Sequence, residues 1–120
     1  MTAIEPTEKQ LQGMLIEYWQ ACGLRGTRLF AIPNAGALGQ SGLTPGIPDL
    51  GAYGGDKLNG RTLYIELKTR KGKLSNYQRI VLAEMSAAGV PAFVCYSFDE
   101  AHDVLVEHGI CRPVQAARAA

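Results

Sequence analysis

An α/β domain, with a mixed central sheet flanked by helices, is what this sequence predicts. Apolar residues recur at helical spacing in three stretches, short β-prone runs are interleaved with them, and the order reads α-β-β-β-α-β-α without repeats or linkers. A length of 120 residues suits one domain spanning 1–120, long enough to bury a core and too short for two.

The first helix lies in "PTEKQLQGMLIEYWQACG", where Leu11, Met14, Leu15, Tyr18, Trp19 and Cys22 form one stripe. Thr7 is placed to cap it, Gln10 to complete a capping box, and Gly23 to stop it. "TRLFAIPN" reads as a short strand closed by Pro33-Asn34, and the Gly-rich "AGALGQSGLTPG" as a functional or mobile loop. "IPDLGAYG" and "TLYIELKT" read as two further strands joined into a hairpin by "GDKLNG". "LSNYQRIVLAEMSAAG" returns to helical spacing through Tyr77, Ile80, Val81, Leu82 and Met85, opening at Ser75 and closing at Gly89. "PAFVCYS" is the fourth strand, and "DEAHDVLVEHG" a last helix with Asp99 near its cap and Gly109 at its end. Residues 110–120, ending in "CRPVQAARAA", read as a loosely held tail.

Hydrophobic content of 47% and charged content of 19% fit a folded soluble protein, and no run is long enough to span a membrane. The N-terminus lacks the basic and apolar regions of a secretory signal. Cys22, Cys95 and Cys111 cannot all pair within one chain and show no metal-ligand spacing, so a reducing, cytoplasmic setting is expected. His102 and His108 fall on the last helix, where surface or capping roles are expected. The net charge is only +1, yet Lys57 to Arg79 carries seven basic residues against one acid, Glu66. A polyanion would dock there.

Strand alternation puts Glu66 and Lys68 on one surface, opposite Leu63, Ile65 and Leu67. If the preceding strand pairs with this one, Asp49 reaches the same surface. Two carboxylates that close repel each other unless a cation lies between them. Magnesium takes hard oxygen ligands, keeps several waters and commonly uses one or two carboxylates with substrate phosphate. Such an ion polarises a phosphoryl oxygen and acidifies water, and Lys68 beside it can orient that water and offset charge on the phosphate. A Glu-x-Lys tripeptide also occurs as a simple solvated ion pair; its company here, Pro48-Asp49 ahead and "KTRKGKLS" behind, favours chemistry.

"PGIPDLGAYGG", "YIELKTRKGKLSNYQ" and the upstream "FAIPNAG" resemble the virus-type replication-repair nuclease (VRR-NUC) domain of the PD-(D/E)XK superfamily, with Pro48-Asp49 as PD and Glu66-Leu67-Lys68 as E-x-K. The resemblance spans most of the chain. It implies a single-domain PD-(D/E)XK, restriction-endonuclease-like fold of core order α-β-β-β-α-β. It further implies Mg2+ dependence, with Mn2+ able to substitute, and cleavage of DNA. Carried over by position, Asp49 and Glu66 match the metal-binding acids, Lys68 the lysine, and the Leu67 main-chain carbonyl a further ligand. Gln78 matches the glutamine of the following helix and is equally explained as the capping-box partner of Ser75.

The family often has an acid on the first helix, for which Glu5, Glu8 and Glu17 compete. Glu8 is preferred because it lies toward the edge of the apolar stripe, while Glu17 faces the opposite, polar side. Asn34 matches an asparagine near the site and suits an Asx-turn as well. Arg70, Lys71, Lys73 and Arg79 are candidate phosphate contacts, or plain surface charges. The expected activity is that of a structure-selective endonuclease resembling Holliday-junction resolvases, acting on branched or four-way DNA as a homodimer. Small free-standing members of this kind point by resemblance to a phage setting. A non-catalytic nucleic-acid-binding module of a repair complex is the alternative, and a sequence-specific restriction-type enzyme a third reading with little room in this length.

Overall fold

The computed structural model describes residues 5–33 and 42–114. Helix α1 spans Glu8–Cys22, and both halves of its predicted capping box form: Gln10 N donates to Thr7 Oγ1 at 3.1 Å, and Thr7 N donates to Gln10 Oε1 at 2.9 Å. These bonds satisfy two amides that a helix start otherwise leaves open. Strands β1 (Arg28–Ala31) and β2 (Leu50–Tyr53) pair antiparallel, as do β2 and β3 (Leu63–Leu67). The β2–β3 connection holds one turn of 3-10 helix at Asp56–Leu58 and reverses through left-handed Asn59 and Gly60. From β3 the chain crosses over through α2 (Asn76–Ala87) to β4 (Ala92–Cys95), parallel to β3, and ends its regular structure in α3 (Phe98–Glu107). The sheet order is β1-β2-β3-β4.

One face of this mixed sheet carries two apolar rows set by the register, Leu29–Ala52–Leu63 and Ala31–Leu50–Ile65–Phe93. Helices α1 and α3 cover that face, and Leu11, Leu15, Ala101 and Leu105 join its leucines in one buried cluster. Burying each such leucine contributes about 1.5–3 kcal/mol. The opposite face carries Gly51, Tyr64, Glu66 and Val94, and α2 packs there against the edge strand β4.

Helix α2 forms where the helical spacing predicts it, though it buries none of its residues, and Tyr77 and Ile80 are 63% and 55% exposed. Periodicity defines a face, but α2 packs chiefly on the edge strand β4, too narrow to cover it. The supposed tail is partly core, since Ile110 and Cys111 are 0% and 2% exposed. Leu24 N donates to Ile110 O at 2.9 Å, Arg112 N donates to Cys22 O at 2.9 Å, and Cys111 forms a bridge with Gly23. The described part of the segment predicted to be loose from 110 is thus fastened at Ile110, Arg112 and Val114; positions 115–120 lie outside the described residues.

All three cysteines are unpaired and buried. Burial pushes the Cys95 and Cys111 thiols up to about 12, which makes them unreactive. The histidines serve the last helix: His108 Nδ1 lies 2.7 Å from Val104 O, and His102 Nε2 accepts from Val114 N at 3.2 Å. Among the described residues no helix is long and apolar enough to cross a membrane.

Candidate active site

Leu50 faces Ile65 and Gly51 faces Tyr64, so the next step of the antiparallel register sets Asp49 opposite Glu66. The hairpin thus brings together two acids separated by sixteen intervening residues. Buried Pro48 precedes Asp49, whose carbonyl accepts from Ile32 N at 2.8 Å and ties the start of β2 to the end of β1. The Asp49 side chain is oriented by β3 itself: Leu67 N donates to Oδ2 at 2.7 Å. That bond fixes the carboxylate against the backbone of the E-x-K tripeptide.

Glu66 is 1% exposed. Its Oε1 accepts from Gln78 Nε2, while Oε2 is buried and has no partner among the described residues. Burial first, then the Asp49 carboxylate, push the Glu66 carboxyl up from 4.5 to about 8, against the opposing pull of Lys68. Lys68 is itself buried, 8% exposed, and its Nζ lies 4.0 Å from Glu8 Oε1. Lys68 N donates to Cys95 O at 3.0 Å, extending the β3–β4 pairing and anchoring the lysine.

The Gln78 side chain does both things expected of it. Its Oε1 accepts from Ser75 N at 2.8 Å and Ser75 Oγ accepts from Gln78 N at 3.2 Å, while Nε2 reaches Glu66. The capping box therefore aims the amide at the acid. Of the three acids considered on or near the first helix, Glu8 is the one beside Lys68; Glu5 pairs with Arg70 at 3.1 Å, and Glu17 is exposed away from the site. Lys71, Lys73 and Arg79 are exposed, and the Arg70–Glu5 pair is also exposed, so it contributes little and opens readily. Asn34 lies outside the described residues.

A cleft of ≈ 490 Å³ opens beside the acids, lined by Glu8, Lys9 and Gln12 of α1, by Ile32 and Pro33 after β1, and by Asp49. Lys9 and Gln12 were not singled out in the sequence, because nothing local distinguishes them from other polar helix positions. Gly72 was also missed. A Cβ there would stand 3.3 Å from Lys68 Cδ, so the glycine lets the turn after β3 close on the lysine stem. Gly46 lies at φ 86°, and a Cβ on it would overlap the Tyr77 carbonyl, so the segment entering β2 seats against the start of α2.

Among the described residues no group of three or more His, Cys, Asp or Glu side chains is arranged to hold a metal ion. Asp49 and Glu66 make a pair, and Glu8 sits on Lys68. A divalent ion that keeps most of its waters needs only one or two carboxylates, and an unpartnered buried oxygen on one of them is the kind of atom such an ion satisfies. The Asp49–Glu66 donor set therefore fits a hydrated ion such as magnesium.

A VRR-NUC domain profile matches residues 7–99 of this chain. Among solved structures, one described as a VRR_NUC domain aligns with a TM-score of 0.60 at 24% identity, covering 86% of this chain and 98% of its own. Another, a VRR_NUC domain protein, aligns with a TM-score of 0.68 at 20% identity, covering 88% and 89%. These likenesses show the fold, which is of the PD-(D/E)XK type. Among curated proteins, none gives a significant match.

Proposed function

Since this chain belongs to the VRR-NUC family, whose domain is of nuclease type, we propose that it is a magnesium-dependent, structure-selective DNA endonuclease of the Holliday-junction resolvase kind. The observation that carries this reading is the Glu66 carboxyl group, buried, repelled by Asp49 and with one oxygen unpartnered among the described residues, beside an ammonium group. A buried acid so placed is costly unless a ligand satisfies it.

Asp49, Glu66 and the Leu67 carbonyl would hold the ion, whose chemistry is Lewis acidity toward a phosphoryl oxygen and the acidification of water. The chain's own groups do the rest. Leu67 N holds Asp49 in place, Gln78 holds Glu66, and the Lys68 ammonium orients the attacking water and offsets charge gathering on the phosphate. Glu8, 4.0 Å from the Lys68 ammonium, helps to aim it. Lys71, Lys73 and Arg79, with Arg70 once released from Glu5, contact flanking phosphates. A four-way junction presents two symmetry-related strands, and a twofold homodimer supplies one site to each. A reducing cytoplasm, phage-infected or not, suits its three unpaired cysteines.

The test is cleavage of labelled four-way junctions, flaps and linear duplex in magnesium or EDTA, by the native chain, Lys68→Ala and Asp49→Ala. Paired symmetric nicks in the junction, abolished by EDTA and by both substitutions, are expected. Binding without cutting in any metal would assign the chain to non-catalytic DNA-binding modules, and cutting of flaps or duplex alone would remove the junction assignment.

A further inference from the structure

Among the described residues Tyr77 is the most exposed of the large hydrophobic side chains, at 63%, and Ile80, three residues along the same helical face, is 55% exposed. Neither is needed by the core. Their backbone is nonetheless rigidly held: the Ser75–Gln78 capping box closes the first turn, Gln78 is fastened to Glu66, and Gly46 seats against the Tyr77 carbonyl. A flat ring is thus presented on a fixed support one residue from the side chain that touches the candidate catalytic acid.

The surrounding charge states which partner suits it. Lys71, Lys73 and Arg79, all exposed, lie within six residues of Tyr77 in the chain, and the one acid of α2, Glu84, stands a turn beyond Ile80. An exposed aromatic ring with exposed cations close to it in the chain matches a nucleic-acid strand whose bases are out of the helix stack, since each nucleotide then offers both a phosphate and a free ring face. Fully paired duplex hides those faces. Tyrosine also suits the task because few rotors are frozen when it binds.

Resting on the nuclease reading above, we infer that Tyr77 stacks on a base face left unstacked at the branch point beside the cutting site, with Ile80 extending the apolar contact, and that this stacking is how the site selects branched over continuous DNA. The contact is made by the α2 surface and needs no metal ion, so it can be measured apart from cleavage.

The test uses the full chain in EDTA with a splayed-arm duplex carrying 2-aminopurine at an unpaired position next to the branch. The native protein is expected to quench the probe on binding. Tyr77→Ala is expected to bind this DNA about ten- to a hundredfold more weakly and to lose the quench, while Tyr77→Trp retains both. The weakening on splayed DNA is expected to exceed that on paired duplex by about tenfold. Equal binding and quenching by Tyr77→Ala would overturn the inference, as would absence of binding by the native chain. A drop accompanied by a halved mass in light scattering would overturn it too, by assigning the patch to contact between copies. Failure of the nuclease reading shows separately, as quenching without cleavage once magnesium is added.

Discussion

Replacing Glu66 with glutamine is expected to flatten the pH dependence of stability in the metal-free protein. The carboxyl is raised from 4.5 to about 8 in the folded state. Between those values the native chain keeps a proton that the unfolded chain has released, so unfolding gives up a proton and stability falls as pH rises. The protonated form's contribution is fully present below 4.5 and is lost as pH climbs through about 8. At 1.36 kcal/mol per pH unit the whole interval corresponds to about 5 kcal/mol, and to about 3 kcal/mol by pH 7. Urea denaturation in EDTA across that range measures the slope directly. Glutamine preserves the side-chain volume and an acceptor for Gln78 but cannot ionise. Its absolute stability can differ, because the amide places a donor where Oε2 was unpartnered; the comparison is between slopes. Magnesium added to the native chain should restore stability at pH 8 with release of about half a proton. Parallel pH profiles for the native and Glu66→Gln chains would refute the assignment of Glu66 as the strained, cation-seeking acid.

Three further outcomes follow from the geometry. Ser75→Ala removes only the cap and should cost about 1 kcal/mol in a urea titration, with kcat intact, whereas Gln78→Ala should cost a similar amount and also lower kcat about tenfold or more, because Glu66 loses its support. Ile110→Ala is expected to destabilise the fold by about 2–5 kcal/mol, read by the same titration; a loosely held residue would show almost no change. Replacing Lys71, Lys73 and Arg79 together by alanine should reduce the slope of log affinity against log salt by about 0.9 for every phosphate these side chains neutralise, measured by fluorescence anisotropy on junction DNA.

Local chemistry made much of the fold and site legible. The two capping boxes are four-residue patterns whose partners are close in sequence, and the Asp49–Glu66 juxtaposition needs only a hairpin and strand alternation. What escaped depends on distant parts of the chain. The docking of Ile110 and Cys111 depends on the segment around Gly23, and nothing near position 110 announces it. The exposure of Tyr77 and Ile80 escaped for the opposite reason: periodicity reports an apolar face and is silent on whether another element covers it. Gly72 was missed because its importance lies in the lysine stem it admits, several residues back in the chain. Gln78 was legible in both roles, which the structure shows together because the first turn of α2 comes close to β3.

The clasp between the end of α1 and residues 110–112 also bears on how the protein comes into being. Cys22, Leu24 and Thr27 are bonded to backbone groups more than eighty positions later, so a chain emerging from the ribosome carries its first helix and the acid-bearing hairpin well before it can fasten them. Contacts of such long sequence separation form late and slow the final step of folding. A nascent chain interrupted before residue 110 would contain every candidate catalytic group while lacking the fastening that steadies them, which ties assembly of the finished fold to synthesis of that last segment.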